Sequence, residues 1–408
     1  MKSKDWIVAA LFFIFPFMVI APGIIWKGQL LFFITMGSII IAFQIKHILI
    51  KSFLLYAIAW QMFIFMQSFR TGENPGAGLS IILSLTAGAM VFKFVSSGSV
   101  KKETWYSVIR TVVIIQAVLG SLQHFGINLV TDFLVQFVPV RADLPTHITG
   151  TLGNRNFMAA FIAMSIPMFA SWKWAEIKGV NVSVIFLLAV LVGCMSPGTL
   201  AAIIGIAIYY TYSRKIKHGF LYVLLSVVVA VGFAAGYILI TGNHLNEFAD
   251  FAIQWEQLQK TGDVLTDTSP GDIGRFAMWM LAGWQLAHNW FAFIFGFGPG
   301  AFWGRHYPLH GQYVSIWFQF GLVGMVLALG YIFTTLKWLW KSGDSVLLAA
   351  FAIICLDMAG NFPMEVASTA FLAIIIAGLI ERDRLEKLPP KRSILEALYL
   401  HPDRTLMH

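Results

Sequence analysis

The stretch Arg305-His-Tyr-Pro-Leu-His310-Gly-Gln-Tyr-Val-Ser-Ile-Trp-Phe-Gln-Phe-Gly321-Leu-Val-Gly324 places one arginine and two histidines directly before a long apolar segment. This segment continues to about residue 336 without a charged side chain, which is enough helix to cross about 30 Å of hydrocarbon. Lipid solvates charge poorly, so ionisable groups gathered at the edge of such a segment usually have a function. The stretch therefore predicts a membrane helix whose first residues carry chemistry.

The composition extends this prediction to the whole chain. Of its 408 residues, 58% are hydrophobic and 12% are charged, whereas a soluble domain is typically about 25% charged. A single soluble globule of this size could not bury so much apolar surface. We predict an all-α, polytopic transmembrane bundle of about twelve spans, near residues 6–25, 29–45, 48–67, 78–95, 104–125, 157–174, 180–195, 198–213, 219–241, 311–336, 345–361 and 365–380.

The distribution of basic residues predicts the orientation of these spans. With the N-terminus inside, 20 lysines and arginines fall at cytoplasmic positions and seven outside, while Arg110 lies within a span. This excess is what the positive-inside rule requires, so both termini are expected in the cytoplasm. The net charge of +8 then comes mostly from lysines and arginines of the inner face, which meet anionic lipid headgroups. No nucleic-acid partner is therefore expected.

The predicted organisation is one transmembrane domain over 1–380 and a short basic cytoplasmic tail over 381–408. Outside the membrane, a large loop at about 242–310 is far longer than an ordinary connection and is therefore expected to be functional. Within it, 246–260 reads as an amphipathic helix, and 273–289 as a helix lying in the membrane interface. Cys194 and Cys355 are far apart in sequence and indicate neither a disulfide framework nor a metal site.

Three stretches carry a resemblance to a known family. The first is a histidine motif that reads His310, Gly311, nine residues, Gly321, two residues and Gly324. The others are Gly150-Thr-Leu-Gly-Asn154-Arg155-Asn156-Phe-Met-Ala-Ala160 and the pair Gly274-Arg275-Phe-Ala-Met-Trp279 and Gly296-Phe-Gly-Pro-Gly300. With twelve spans and one large loop before the tenth, the chain resembles the O-antigen ligase and polymerase superfamily of bacterial GT-C type membrane glycosyltransferases.

The chain departs from the ligase pattern at three places. Gly311 stands where that pattern has Asn, Ser or Gln, and Gln319 where many relatives carry an acidic residue. The turn Ser196-Pro197-Gly198 resembles a family Ser-Arg-Gly turn but lacks its arginine. These differences leave open whether the closer likeness is to the ligases or to the polymerases.

The resemblance implies a glycan donor linked through diphosphate to a polyprenol, and an acceptor that is lipopolysaccharide core or another glycan. Arginine suits the leaving diphosphate because its planar fork binds phosphate oxygens in pairs and stays charged. Arg155, Arg275 and Arg305 lie in the family-like segments and are the expected diphosphate ligands, with Asn154 and Asn156 in support. Alternatively, Arg155 and Arg305 contact lipid headgroups, and Arg275 pairs with an aspartate of its own helix.

His310 is the expected general base, and His306 is the second choice for that role or orients it. A helix N-terminus disfavours imidazolium, so a ring at the start of the tenth span stays neutral and can accept a proton. The competing interpretation is a histidine that anchors the helix at the interface. Gly321 and Gly324 are expected to support the motif. We expect no cofactor and no metal, because no cluster has the spacing of metal ligands.

The predicted activity is transfer of the glycan to an acceptor hydroxyl at the periplasmic face of the inner membrane, by inversion and in the manner of an O-antigen ligase. A polysaccharide polymerase of the same superfamily is the main alternative, and a protein O-oligosaccharyltransferase a further one. A membrane transporter is the rival class, since transporters place polar groups within the membrane on broken helices. Here only Arg110 and a few residues near 357–361 would serve that purpose.

Overall fold

The computed structural model describes residues 42–71, 76–127, 155–172, 180–194, 196–213, 275–298, 311–360 and 367–387, with single positions or pairs between them (39, 150, 152, 176–177, 225, 228, 232, 256 and 260). Across these residues the chain is helical apart from connectors and one antiparallel pair of two-residue strands, so the predicted all-α class is confirmed. In this part of the chain the elements are α1 (Ile48–Thr71), α2 (Gly76–Ser96), α3 (Lys102–His124), α4 (Arg155–Ala170), β1 (Glu176–Ile177), β2 (Val180–Asn181), α5 (Val182–Cys194), α6 (Pro197–Ser213), α7 (Arg275–Ala287), α8 (Trp290–Phe295), α9 (Gln312–Ser342), α10 (Ser345–Gly360) and α11 (Ala367–Lys387).

Nine of the predicted spans coincide with a helix of the described chain: α1 to α6 and α9 to α11. By length and composition, two of these helices, α3 and α9, could cross a membrane. The predicted span at 6–25, most of those at 29–45 and 219–241, and nearly all of the amphipathic helix at 246–260 lie outside the described residues. The helix predicted at 273–289 is present as α7, and Asn289 caps the next helix by accepting a hydrogen bond from Ala292 N at 3.0 Å.

Helix α4 is the centre of the bundle. Every residue from Met158 to Phe169 is buried, on all sides of the helix, and α4 packs against α3, α5, α6, α10 and α11. A helix that is apolar all round has no face for water and is expected inside a large core or a membrane bundle. Gly198 of α6 lets that helix approach closely, since a Cβ there would lie 3.1 Å from the backbone of Ala159. The start of α4 is therefore held firmly by its neighbours.

The C-terminal end of α4 is capped by side chains from elsewhere. The last carbonyls of a helix have no partner within it, and they are costly to bury unpaired. Arg110 of α3 donates to Met168 O at 2.7 and 3.0 Å, while Asn181 Nδ2 donates to Phe169 O at 2.7 Å. The Arg110 guanidinium also lies 5.9 Å from the Tyr106 ring and 5.4 Å from the Trp172 ring. The arginine that the sequence places within a predicted span is thus a helix cap.

One ion pair and two hydrogen bonds join three connectors at one end of the bundle. Lys102, at the start of α3, pairs with Asp344 in the α9–α10 turn. Arg382 of α11 donates to Val100 O, and Lys387 donates to Ser342 O at 3.2 Å. The loop charges predict that all three connectors share one face, and the contacts bring them together. We call these contacts the inner clasp.

A histidine near the inner clasp is held neutral. His47 is 7% exposed, and its ring meets the Tyr331 ring edge-on at a centroid distance of 5.0 Å. Burial, with the Arg384 charge nearby, lowers the pKa of His47 to about 4. The imidazole is therefore uncharged at neutral pH and acts as a packing group here.

Candidate functional site

The structure describes four of the predicted site residues in full. Arg155 and Asn156 are the first two residues of α4, and Gly321 and Gly324 lie within α9. Arg275 is the first residue of α7, although its side chain is outside the description. Predictions for His306, His310, Arg305 and Asn154 concern residues outside the described part of the chain.

Helix α9 is broken at Gly321 of the histidine motif. Gly321 has φ 63° and ψ −165°, a conformation that is essentially restricted to glycine. The break divides α9 into a first section, 312–320, and a longer second section, 322–342. Gly311 precedes the first section as its N-cap residue, so His310 directly precedes the start of this short, separately oriented helix.

The glycine-rich segment at 296–298 packs directly onto this break. Phe297 N donates to Phe318 O and Gly298 N to Gln319 O, both at 2.9 Å. These bonds satisfy carbonyls that the break would otherwise leave unpaired in an apolar environment. The described residues of this segment, 296–298, thus pack against α9.

Two glycines make this crossing of the backbones possible. A Cβ at Gly321 would lie 2.3 Å from Ile294 O, and one at Gly296 would lie 2.2 Å from Gln319 O. The Tyr56 hydroxyl of α1 fastens the crossing from a third side, with Phe295 O at 2.6 Å and Phe320 O at 3.0 Å as acceptors. The structure thus joins two of the resemblance-bearing stretches through main-chain contacts. We call this the glycine crossing.

Gly324, the last glycine of the motif, has a related role. A Cβ at Gly324 would lie 2.2 Å from Phe320 Cβ, so glycine lets the chain fold back across the break. Phe320 is buried and packs against Phe53 of α1, with ring centroids 5.1 Å apart. The motif's spacing of three between its glycines therefore serves the geometry of the break.

Buried polar side chains line one face of the first section of α9. Gln312, Ser315 and Gln319 are all less than 7% exposed, and Gln319 Nε2 donates to Ser315 Oγ at 2.7 Å. Gly311 lies against the Trp279 indole of α7, where a Cβ would be 3.0 Å from the ring. The polar residue of the ligase pattern would not fit at position 311 unless Trp279 moved.

Arg155 lies at the N-terminus of the central helix, where backbone N–H groups have no intrahelical acceptor. Its guanidinium is close enough to Cys194 to interact with the thiol electrostatically. Cys194 ends α5 and immediately precedes the Ser196-Pro197-Gly198 turn. A cation is therefore present near the turn that lacks the arginine of the family pattern, but it comes from a different helix.

Sequence reasoning missed the polar groups that hold these segments. Tyr56 lies in the third predicted span, and Gln116 and Gln123 lie in the fifth, where the sequence assigns none of them a role. Gln123 exchanges two hydrogen bonds with the backbone of Gly150, which opens the family-like stretch that contains Arg155 and Asn156. The available signal was the presence of two glutamines, seven residues apart, in a helix otherwise suited to lipid.

The two regions share a hydrophobic cluster. Leu152, just before α4, packs against the cluster that contains most of α4, and so does Tyr313 in the first turn of α9. The Tyr313 hydroxyl donates to Cys355 O of α10 at 2.9 Å, and α10 packs on α4. The start of α4, which carries Arg155, and the start of α9, which follows His310, thus pack against the same hydrophobic cluster.

No protein-family model matches this chain, and no curated protein matches it. The likeness to the O-antigen ligase and polymerase superfamily therefore depends on the motifs and their order along the chain.

Proposed function

We propose that this protein is an integral membrane glycosyltransferase, which moves a glycan from a polyprenyl-diphosphate carrier to an acceptor hydroxyl at the outer face of the bacterial inner membrane. The observation that carries the proposal is the placement of Arg155 at the N-terminus of the buried central helix. A guanidinium at the N-terminus of a helix, where the helix dipole favours negative charge, suits a bound phosphate group.

The proposal places the chain in the membrane with about twelve spans and cytoplasmic termini. Helices α3 and α9 have the length and composition to cross. Helices α4, α5, α6 and α10, with parts of α1 and α2, are shorter apolar helices. Large side chains of α9 remain exposed along its second section, with Phe333 at 67% and Val326 at 61%. Exposed apolar surface of this kind suits lipid rather than water. The inner clasp then faces the cytoplasm, and Arg155 faces the periplasm.

The proposed reaction is a single displacement. His310 accepts the proton of the acceptor hydroxyl while the acceptor oxygen forms a bond to the anomeric carbon of the donor. The bond from that carbon to the diphosphate oxygen breaks, and its electron pair leaves with the diphosphate. Arg155, Arg275 and Arg305 stabilise the negative charge that grows there, so no metal is required. Attack opposite to the leaving group inverts the anomeric centre.

The glycine crossing supports the role given to the histidine motif. It fixes the direction of the first section of α9, and with it the end of the helix that His310 precedes. A base must lie within hydrogen-bonding reach of the hydroxyl it deprotonates, so its backbone needs a rigid support. His306 is the second choice as base in the proposal.

The acceptor separates two forms of the proposal. A ligase would use lipopolysaccharide core, and a polymerase would use a second lipid-linked glycan. The packing of Trp279 on Gly311 favours keeping the polymerase as the second candidate, because the polar residue of the ligase pattern would fit at position 311 only if the Trp279 indole shifted. Transport is the weakest form, since Arg110 already caps α4.

The test is transfer by the purified protein in vesicles, with a polyprenyl-diphosphate glycan and either acceptor. We expect His310→Ala to lose about 10²–10⁴-fold in turnover while donor binding persists. Arg275→Lys should weaken turnover because it loses the paired donor geometry. Unchanged turnover in His310→Ala would refute the role of His310 as base. A requirement for added magnesium would contradict the metal-free mechanism.

A further inference from the structure

Two glutamines of α3 form a polar stripe inside an apolar helix. Gln116 is 2% exposed and Gln123 is 6% exposed. Residues seven apart lie on the same face of a helix, two turns from each other. A buried amide costs free energy unless its donors and acceptors are paired, and more so in a helix that lies in lipid. The partners of these amides therefore indicate what the stripe is for.

Gln123 pairs with a single backbone unit far along the chain. Its Nε2 donates to Gly150 O at 2.9 Å, and its Oε1 accepts from Gly150 N at 2.8 Å. The side chain thus uses both of its amide functions on one residue, as a neighbouring strand would. Gly150 has φ 56°, the left-handed conformation in which glycine is unstrained.

Gln116 completes the seat for Gly150. A Cβ at Gly150 would lie 2.5 Å from Gln116 Oε1 and 3.2 Å from Met158 Sδ. Met158 is fully buried in the first turns of α4. Gly150 is therefore enclosed by α3 on one side and by α4 on the other, five residues before Arg155.

We propose that Gln123, with Gln116 behind it, is a positioning residue for donor binding: it fixes the segment from Gly150 to Arg155 and so sets where the Arg155 guanidinium meets the diphosphate. This inference rests on the proposed function. Gln123 itself contacts the backbone, not the donor. Its effect on the reaction passes through Arg155.

The first experiment compares Gln123→Leu with the parent in the vesicle transfer assay. A misplaced arginine should raise the KM for the lipid-linked donor about ten- to hundredfold, while the KM for the acceptor stays within twofold. Ser121→Ala is the matched control, because the Ser121 hydroxyl donates to Ala117 O of its own helix. The control should keep the parent KM for both substrates.

The second experiment uses Gln123→Glu, which keeps the shape of the side chain and remains informative if Gln123→Leu does not fold. A protonated carboxyl can donate to Gly150 O and accept from Gly150 N, whereas a carboxylate can only accept and repels the carbonyl. The donor KM of the variant, divided by that of the parent, should therefore fall as the pH is lowered from 8 to 6. A ratio that does not change with pH would overturn the proposal.

Arg155→Ala separates this inference from the function beneath it. If Arg155→Ala raises the donor KM and folded Gln123→Leu does not, the positioning role is wrong and the proposed function stands. If Arg155→Ala leaves the donor KM unchanged, the diphosphate role of Arg155 fails, and the inference about Gln123 fails with it.

Discussion

Gly321 determines the shape of α9 through its backbone alone. With φ 63° and ψ −165°, it turns the chain out of the helix at a point where two backbones come within contact of each other. Any side chain at this position would meet Ile294 O and Gly296 N, which belong to the main chain and have little freedom to move. A side chain here would therefore be disfavoured twice, by overlap with the neighbouring backbone and by the dihedral angles of Gly321.

Gly321→Ala should therefore destabilise the protein by roughly 3 kcal/mol or more, from backbone strain and overpacking combined. Gly330→Ala is the matched control in the same helix, since a Cβ there would meet only Leu49 Cδ1 at 3.6 Å. It should be neutral or raise stability by up to about 1 kcal/mol, because alanine is the better helix former. Thermal unfolding in detergent measures both. Equal stability of the two variants would contradict the glycine crossing.

Arg110 shows how a residue's role can differ from the one its location suggests. An arginine within a span is commonly part of a transport path or a binding site. Here its guanidinium donates to Met168 O and lies between two aromatic rings. The charged guanidinium of Arg110 thus caps the C-terminal end of α4.

Arg110→Met should lower the free energy of unfolding by roughly 1–3 kcal/mol, because a charged hydrogen bond to a buried carbonyl is lost. Glycan transfer measured per folded molecule should remain close to that of the parent. Loss of transfer with unchanged stability would instead assign Arg110 to the substrate path.

At the scale of elements, helix positions could be predicted from the sequence because lipid and core both select long apolar runs. The tenth span is predicted at 311–336, and the helix is Gln312–Ser342. It is longer than predicted because the helix continues past the apolar run into a basic end. The break at Gly321 could not be predicted. Glycine within an apolar segment is common in membrane helices, and the partner backbone at 294–298 lies in another element.

The side chains that hold the site were also beyond prediction, for a physical reason. Tyr56 bonds to carbonyls 239 and 264 residues away, and Gln123 to a residue 27 away. Such pairings depend on which helices become neighbours, which hydrophobic periodicity does not encode. The candidate ligands, in contrast, could be proposed from charge alone: Arg155 stands out as one of few basic residues on its side of the predicted membrane.

The inner clasp gives a prediction for the α9–α10 turn. Asp344 Oδ1 accepts from Leu347 N at 2.9 Å and so caps α10, while its other oxygen pairs with Lys102. Asp344→Ala loses both contacts and should cost roughly 1–2 kcal/mol, whereas Asp344→Asn keeps a capping oxygen and should cost less. Lys260→Ala breaks an exposed pair with Glu256 and is the control, with little change expected. An equal loss of stability in the two Asp344 variants would show that the capping hydrogen bond to Leu347 N does not contribute.

At the scale of the whole molecule, the bundle is organised around α4. Its neighbours bury it completely, its C-terminal end is capped by Arg110 and Asn181, and its N-terminal end presents Arg155. Segments that carry the family resemblance attach to this framework at two places, through Gln123 and through the glycine crossing. The fold thus separates a clasped end from an end that carries the candidate chemistry.

The central claim is that Arg155 holds the diphosphate of a lipid-linked donor. The most direct measurement is the affinity of the purified protein for polyprenyl diphosphate itself, in the parent, in Arg155→Ala and in Arg384→Ala, which removes a cation near the inner clasp. We predict that Arg155→Ala weakens binding by at least about tenfold and that Arg384→Ala leaves it unchanged. Equal affinity in the parent and Arg155→Ala, or no binding by the parent, would contradict the claim.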